Sequence, residues 1–287
     1  MTFSIAACDL QRGDWGVAVA SKFPAVGSVV PWAKAGVGAV ATQAHANANY
    51  GPEGLALMLD GTSAREAVAA LTGADEGSAQ RQLGLVDASG GAASFTGAEC
   101  IEWAGGLTGD GFACQGNILT GPDVVEEMAR AYREASGELV DRLLAALMAG
   151  DAAGGDRRGR QSAALLVVRD GGGYDGRGDR YIDLRVDDHV DPLGELVRLF
   201  RMYDDDYLIR NDRLMDPTPE LVTSMQRGLS RMGFYRGEAH GAYDDDTRAA
   251  LAEFAGRQNL EAKVRADERI YRSLVREIEE ASSAAGG

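Results

Sequence analysis

T-F-S-I-A-A-C-D (residues 2–9), a turn L-Q-R-G-D (10–14) and W-G-V-A-V-A-S-K (15–22) form the stretch that decides the fold. The first run is β-compatible. Pleating sends Thr2, Ser4, Ala6 and Cys8 to one face and Phe3, Ile5 and Ala7 to the other. Gly13 lies in a turn-like segment, so the second run is expected to return antiparallel and bring Lys22 to the level of Thr2. A hydroxyl near the chain start facing a lysine is a nucleophile arrangement, because a free α-amine can serve as its base. An ordinary edge hairpin, with Thr2 and Ser4 merely suiting a half-buried strand, is the competing reading. Lysine is scarce, occurring at Lys22, Lys34 and Lys263 among 29 basic residues. Lysine, unlike arginine, can be shifted toward neutrality, so Lys22 reads either as chemically required or as chance in an arginine-rich chain.

Outward from this hairpin, residues 28–31 and 37–43 (G-V-G-A-V-A-T-Q over 36–43, with its leading glycine) read as a second hairpin. Four strands therefore precede any helix, which argues against a doubly wound βαβ plan and for two stacked antiparallel sheets covered by helices. Gln43, His45, Asn47 and Asn49 follow a period of two, lining a strand-end pocket or forming a solvated loop. A helix is expected from Pro52, and another capped by Thr62 or Ser63. Strands are expected at 82–86, 92–96, 101–103 and 112–118. The Gln115-Gly116-Asn117 segment precedes a helix from Pro122, and its glycine allows backbone N–H groups to approach a ligand as an oxyanion site requires; a strand-ending bulge is the alternative. Arg157, Arg158 and Arg160 form a dense basic cluster before an apolar strand at 163–168. Arg160 and Gln161 can orient a substrate carboxylate or amide, or the cluster can hold its own loop through an arginine–aspartate network with Asp156. Asp187, Asp188 and His189 read as helix-capping residues rather than as metal ligands.

The 287 residues carry a net charge of −15, with 45% hydrophobic and 25% charged residues. These are globular values for one large domain or two unequal ones. The negative charge argues against nucleic acid or an anionic membrane as a partner. No apolar run has the length of a membrane span, and no secretory signal is visible. Cys8, Cys100 and Cys114 are odd in number and not spaced for a metal, so reduced thiols in a cytoplasmic protein are expected, with no metal and no cofactor. A small-molecule substrate is the expected partner, and a homo-oligomer is compatible with the sequence.

The motifs T-F-S-I, V-A-V-A-S-K, A-V-G-S-V-V-P-W-A, G-V-G-A-V-A-T-Q, Y-G-P-E-G, Q-G-N and A-G-G-D-R-R-G-R-Q-S-A-A-L-L-V-V, in order over about residues 1–200, resemble the bacterial family catalogued as domain of unknown function 1028. The resemblance implies an α+β fold of N-terminal-nucleophile (Ntn) hydrolase type, a four-layer αββα sandwich of two antiparallel sheets. It implies Thr2 as nucleophile once Met1 is removed, with Ser4 as rival on the same face. The expected activity is hydrolysis of an amide bond in a small, anionic substrate, with Lys22 lowering the pKa of the α-amine and Gln115 and Asn117 beside the oxyanion. The alternative is a non-catalytic binding or scaffold protein of the same fold. Residues 1–203 are assigned to this domain, and 204–216, acidic and then proline-rich, to a linker. Residues 217–280 resemble a small helical peptidoglycan-binding-like domain through Gln226, Leu229, Gly233, Phe234, Gly237, Gly241, Tyr243, Thr247, Leu251 and Phe254. His240 stands where that pattern has aspartate, Asp244 where it has glycine, and a second D-G-x-x-G-x-x-T stretch is absent, which argues against glycan binding. Residues after Glu280 are expected to fray.

Overall fold

The opening hairpin forms as the alternation requires. The computed structural model describes residues 2–285 and divides into two units between Arg198 and Leu199; the processing of Met1 lies outside the described residues. Strand β1 (Thr2–Asp9) pairs antiparallel with β2 (Asp14–Ser21), from Phe3 opposite Ala20 to Asp9 opposite Asp14. The turn is locked by Asp9, whose carboxylate accepts the backbone N–H groups of Gln11 and Arg12 at 3.1 and 3.3 Å. Gly13 closes it at φ 71°, a conformation glycine adopts without a Cβ clash.

The chain continues through a 3₁₀ turn, Val26–Ser28, into β3 (Pro31–Lys34) and β4 (Gly38–Ala44). The second strand pair thus starts at Pro31, because residues before it turn back on themselves. Helix α1 (Tyr50–Leu59) begins ahead of Pro52, and α2 (Ala64–Ala74) opens on a capping box in which Ser63 and Glu66 exchange side-chain and backbone bonds. Strands β5 (Arg81–Asp87), β6 (Ala92–Thr96), β7 (Gly105–Gly109) and β8 (Phe112–Asn117) follow. The stretch 101–103, expected as a strand, is irregular; the carbonyls of Ile101 and Trp103 accept the N–H groups of Ile118 and Leu119 at 2.8 and 2.9 Å. Helices α3 (Asp123–Glu134) and α4 (Leu139–Ala152), strands β9 (Ser162–Arg169) and β10 (Arg180–Val186), and helix α5 (Pro192–Tyr203) complete the series.

The strands form a six-stranded sheet in the order β10-β9-β2-β1-β8-β7 and a four-stranded sheet in the order β3-β4-β5-β6, each antiparallel throughout. They lie face to face. Ala6, Val17, Val19, Val30, Ala41 and Val86 meet between them in one buried cluster. On the outer side of the six-stranded sheet, Phe3 lies over Gly150 of α4, and the Tyr132 hydroxyl of α3 donates to the Cys8 carbonyl at 3.2 Å. On the outer side of the four-stranded sheet, Tyr50 and Met58 of α1 and Ala67 and Leu71 of α2 bury Val40, Leu83 and Leu85. The result is an α+β sandwich of four layers, αββα, each buried aliphatic side chain contributing roughly 1.5–3 kcal/mol. Among the described residues no helix is long and apolar enough to cross a membrane.

The second unit is helical: α6 (Pro219–Arg231), α7 (Asp245–Arg257) and α8 (Arg272–Ala284) enclose Met225, Leu229, Phe254, Leu274 and Ile278. Residues 204–216, expected as a linker, are part of this unit. Asp204–Leu208 form a π-helical turn, β11 (Leu214–Met215) pairs with β12 (Ile270–Tyr271), and Asp212 accepts the N–H of Ser273 at 3.3 Å. The acid-rich composition masked this, because the aspartates are taken up by pairs such as Arg210–Asp204 at 2.8 Å. The tail is helical through Ala284 rather than frayed from Glu280.

Candidate active site

Strands β1, β4 and β8 bring Thr2, Ala44 and Asn117 to one end of the sandwich, with Thr2 opposite Asn117 in the ladder. Thr2 is 6% exposed and lines a cleft of about 330 Å³ with Phe23, Val26, Val30, Gln43 and Arg158. A second cleft, also about 330 Å³, shares Ala44 and His45 with the first and is walled by Gln80, Glu99, Cys100 and Asn117. The Thr2 Oγ1 lies 3.1 Å from the Ser21 Oγ.

Behind Thr2, a run of uncharged polar side chains fills the space between the sheets. Ser4 Oγ donates to Gln43 Oε1 at 2.6 Å and accepts from Gln115 Nε2 at 2.7 Å. Gln43 Nε2 donates to Gln82 Oε1 at 2.8 Å and to the Thr2 carbonyl at 3.3 Å. Asn117 Nδ2 also donates to Gln82 Oε1, at 2.9 Å, while Gln82 Nε2 donates to the Gly116 carbonyl at 2.7 Å and to Thr96 Oγ1 at 2.9 Å. Buried polar groups persist when they are hydrogen-bonded, and a network this connected fixes the rotamers of its members; Gln115 Oε1 is the one of its atoms left buried with no partner among the described residues. Gly84 leaves room for it: a Cβ there would stand 1.9 Å from Gln115 Oε1.

Several expectations are corrected. Strand β2 ends at Ser21; the Lys22 ammonium donates to the Arg160 carbonyl at 3.3 Å, and the Lys22 backbone N–H donates to the Asp156 carboxylate at 2.7 Å. Ser21, not Lys22, therefore faces the Thr2 hydroxyl. The segment Gln115–Asn117 is regular strand rather than a donor-presenting turn, with the Gln115 side chain sealed behind Ser4. Ser4 itself is fully buried and lines neither cleft. Arg160 is held by Asp151 through two bonds of 2.8 and 2.7 Å. Gln161 donates to Asp188 at 3.1 Å, and its N–H holds the Ser21 carbonyl at 3.1 Å. Gln43, His45 and Asn117 do reach the clefts. Ser21 and Gln82 were missed, and Arg158 was read only as one of a cluster of three. Ser21 was hidden by a one-residue uncertainty in the hairpin register; Gln82, a lone amide inside a strand, carried no distinguishing signal, and nothing separated Arg158 from its two neighbouring arginines.

The rim is strained. Ala25, Ala44 and Ile118 adopt left-handed φ values of 51°, 68° and 52°, and all three border the clefts or their lining segments. Such conformations are unfavourable for side chains with a Cβ, most of all a β-branched one, and persist where the surroundings impose them. Part of that imposition comes from Asp75, which accepts from Arg81 Nε at 3.0 Å, Tyr50 Oη at 2.8 Å and Asn47 Nδ2 at 3.4 Å. Arg81 in turn donates to the His45 carbonyl at 2.6 Å. The Arg81 guanidinium above all, then the Tyr50 hydroxyl and the Gly77 N–H, hold the Asp75 carboxyl far below the usual range. Burial pushes the Cys8 thiol up to about 11 and raises Cys114 and Cys100 as well, so none is poised as a thiolate.

A family model described as "Family of unknown function (DUF1028)" matches residues 2–196. The chain belongs to the DUF1028 family. A crystal structure of a DUF1028 protein from Silicibacter pomeroyi is 34% identical, with a TM-score of 0.65 over 71% of this chain and 89% of that one. Beyond the DUF1028 region, a model described as "Putative peptidoglycan binding domain" matches residues 209–277. No curated protein matches the chain. In this second region the departures from the motif have structural uses. Asp244 caps α7 by accepting the Thr247 N–H at 3.0 Å, and His240 Nε2 lies 3.1 Å from the Tyr235 hydroxyl. Gln226 pins the loop between them, accepting the Gly241 N–H at 3.0 Å and donating to Thr247 Oγ1 at 2.8 Å.

Proposed function

We propose that the DUF1028 domain is an N-terminal-nucleophile hydrolase of small amides, with Thr2 as nucleophile after removal of Met1. The observation that carries this reading is a hydroxyl at the second residue, opening onto a cleft and braced from behind by a hydrogen-bonded amide network. In the reaction, Thr2 Oγ1 attacks the amide carbon and its proton passes to the α-amine. An α-amine has a reference pKa of about 7.7–8.0, so a useful fraction is neutral near physiological pH. The C–N bond then breaks, the ammonium protonates the departing amine, and water cleaves the acyl–Thr2 ester to release the acid. Ser21 orients the Thr2 hydroxyl. Asn117 gives one N–H of its amide to Gln82, and the second N–H is the donor assigned to the oxyanion.

Intact-protein mass spectrometry, followed by assay of Thr2→Ala and Ser21→Ala on a panel of small amides, tests the reading. Thr2→Ala should lose turnover. Ser21→Ala should fall about tenfold, the worth of one orienting hydrogen bond. Active protein that retains Met1, or full activity in Thr2→Ala, removes Thr2 from the mechanism. The direction of Lys22, toward the Arg160 carbonyl, favours a second reading in which the same cleft binds without turnover; a retained Met1 in the natural protein selects it.

A further inference from the structure

The second cleft meets the Thr2 cleft at Ala44 and His45 and is given no part in the attack on the amide. Its lining has a consistent polarity. No arginine or lysine stands among its described residues. Gln80 Nε2 donates to Glu99 Oε2 at 2.9 Å, the Cys100 thiol donates to the Arg81 carbonyl at 3.3 Å, and Asn117 Nδ2 donates to Gln82 Oε1 at 2.9 Å. Glu99 Oε1, Gln80 Oε1 and Asn117 Oδ1 accept no bond among the described residues. Glu99 is exposed and pairs with no cation among them. The turn that carries it is fixed to the start of β5. The Gly97 N–H donates to the Arg81 carbonyl at 2.9 Å, and the Glu99 N–H donates to the Ala79 carbonyl at 2.7 Å. A Cβ at Gly97 would stand 2.3 Å from the Ala79 carbonyl oxygen, so the turn requires glycine there. A carboxylate on a backbone placed in this way needs little further ordering to take a ligand. Ile101 and Ile118 supply apolar surface beside these acceptors.

We infer that the second cleft is a receptor for a primary ammonium on a short alkyl chain, anchored by Glu99, and that the substrate is a monoacylated diamine. An ammonium brings three donors to a lining rich in acceptors, and its bond to a carboxylate is charge-assisted. A guanidinium fits less well, because its fork takes two parallel carboxylate oxygens and Gln80 already holds one of them. The acyl group lies against Val26, Val29 and Val30 of the Thr2 cleft, the amide sits at the Ala44–His45 junction, and the alkylammonium runs along Ile101 and Ile118 to Glu99. Hydrolysis consumes one water, breaks the amide C–N bond, and releases a carboxylic acid and the free diamine. The inference rests on the Thr2 reading for the reaction and is independent of it for binding.

The test is equilibrium binding to Thr2→Ala protein, by calorimetry, of N-acetylputrescine against N-pentylacetamide, which replaces the ammonium with a methyl group. The ammonium compound should bind about tenfold tighter or more, the worth of a charge-assisted pair. Adding Glu99→Gln should erase that preference. The melting temperature should stay level, because glutamine keeps an acceptor for Gln80. Equal binding of the two amides, binding of neither, or a preference that survives Glu99→Gln overturns the receptor. Turnover assays on the unsubstituted protein separate the two readings. Hydrolysis of both amides alike removes the receptor and leaves Thr2 in place. Ammonium-selective binding without hydrolysis supports the receptor and removes the nucleophile.

Discussion

At the scale of single residues, Gln82 is the hub of the interior. It accepts from Gln43 and Asn117 and donates to Thr96 and the Gly116 carbonyl. Gln82→Leu strands several of these groups, and each buried orphan costs roughly 1–3 kcal/mol. We expect the urea midpoint to fall by an amount equal to at least about 2 kcal/mol, and any turnover to fall with it as Gln43 loses its hold on Thr2. A midpoint unchanged from the parent shows that the network carries little stability. The thiols give a second residue-scale prediction. Cys8 and Cys114 are buried and Cys100 is half-buried at the wall of the second cleft. One equivalent of maleimide should therefore enter the native protein ahead of any other, at Cys100, although the raised pKa of its thiol slows the reaction. Rapid labelling at Cys8 or Cys114 contradicts the burial described here.

Among the elements, the joint between α2, the 45–49 loop and β5 is held by Asp75. Its folded pKa is depressed, so its stabilisation is fully present above the unfolded value of about 3.9 and is lost as pH falls from there through the folded value. Asp75→Asn should consequently lower stability at pH 7 and flatten the acid limb of the stability curve, read from urea midpoints at pH 7 and at pH 3. Equal losses at both pH values argue that shape, not charge, holds the joint. This joint was hidden in the sequence, because Asp75, Tyr50 and Arg81 meet only once two helices and a strand have packed. The sheets were legible: the alternation of 2–9 and 15–21 and the four strands ahead of any helix led directly to the layered plan. The partner of Thr2 was not, because a strand repeats every two residues and an offset of one turns a side chain to the opposite face. Lys22 and Ser21 differ by that one step. Arg158 and Arg160 failed for another reason, since the direction of a loop side chain depends on which carboxylate lies within reach.

For the whole molecule, the division between Arg198 and Leu199 leaves the Thr2 clefts lined wholly by the first unit. A chain truncated after Tyr203, which keeps α5 complete, should retain a cooperative melt and the full chain's turnover of small amides. Precipitation, or loss of the cooperative transition, shows that the second unit is needed for folding. The second unit should show no retention on purified sacculi, since His240 and Asp244 serve its own loop and helix cap; tight co-sedimentation reverses that expectation.

The cradle behind Thr2 is made of amides and hydroxyls, and none of Ser4, Gln43, Gln82, Gln115 or Asn117 bears a charge. Dissolved ions have nothing to screen there, whereas the exposed Glu99 carboxylate, at the wall of the second cleft, is screened over a Debye length of about 10 Å at 0.1 M ionic strength. Added sodium chloride thus acts on the entrance and spares the interior. For a cationic amide KM should climb with ionic strength while kcat stays level, so a simple salt titration reads capture and chemistry as separate quantities in one protein.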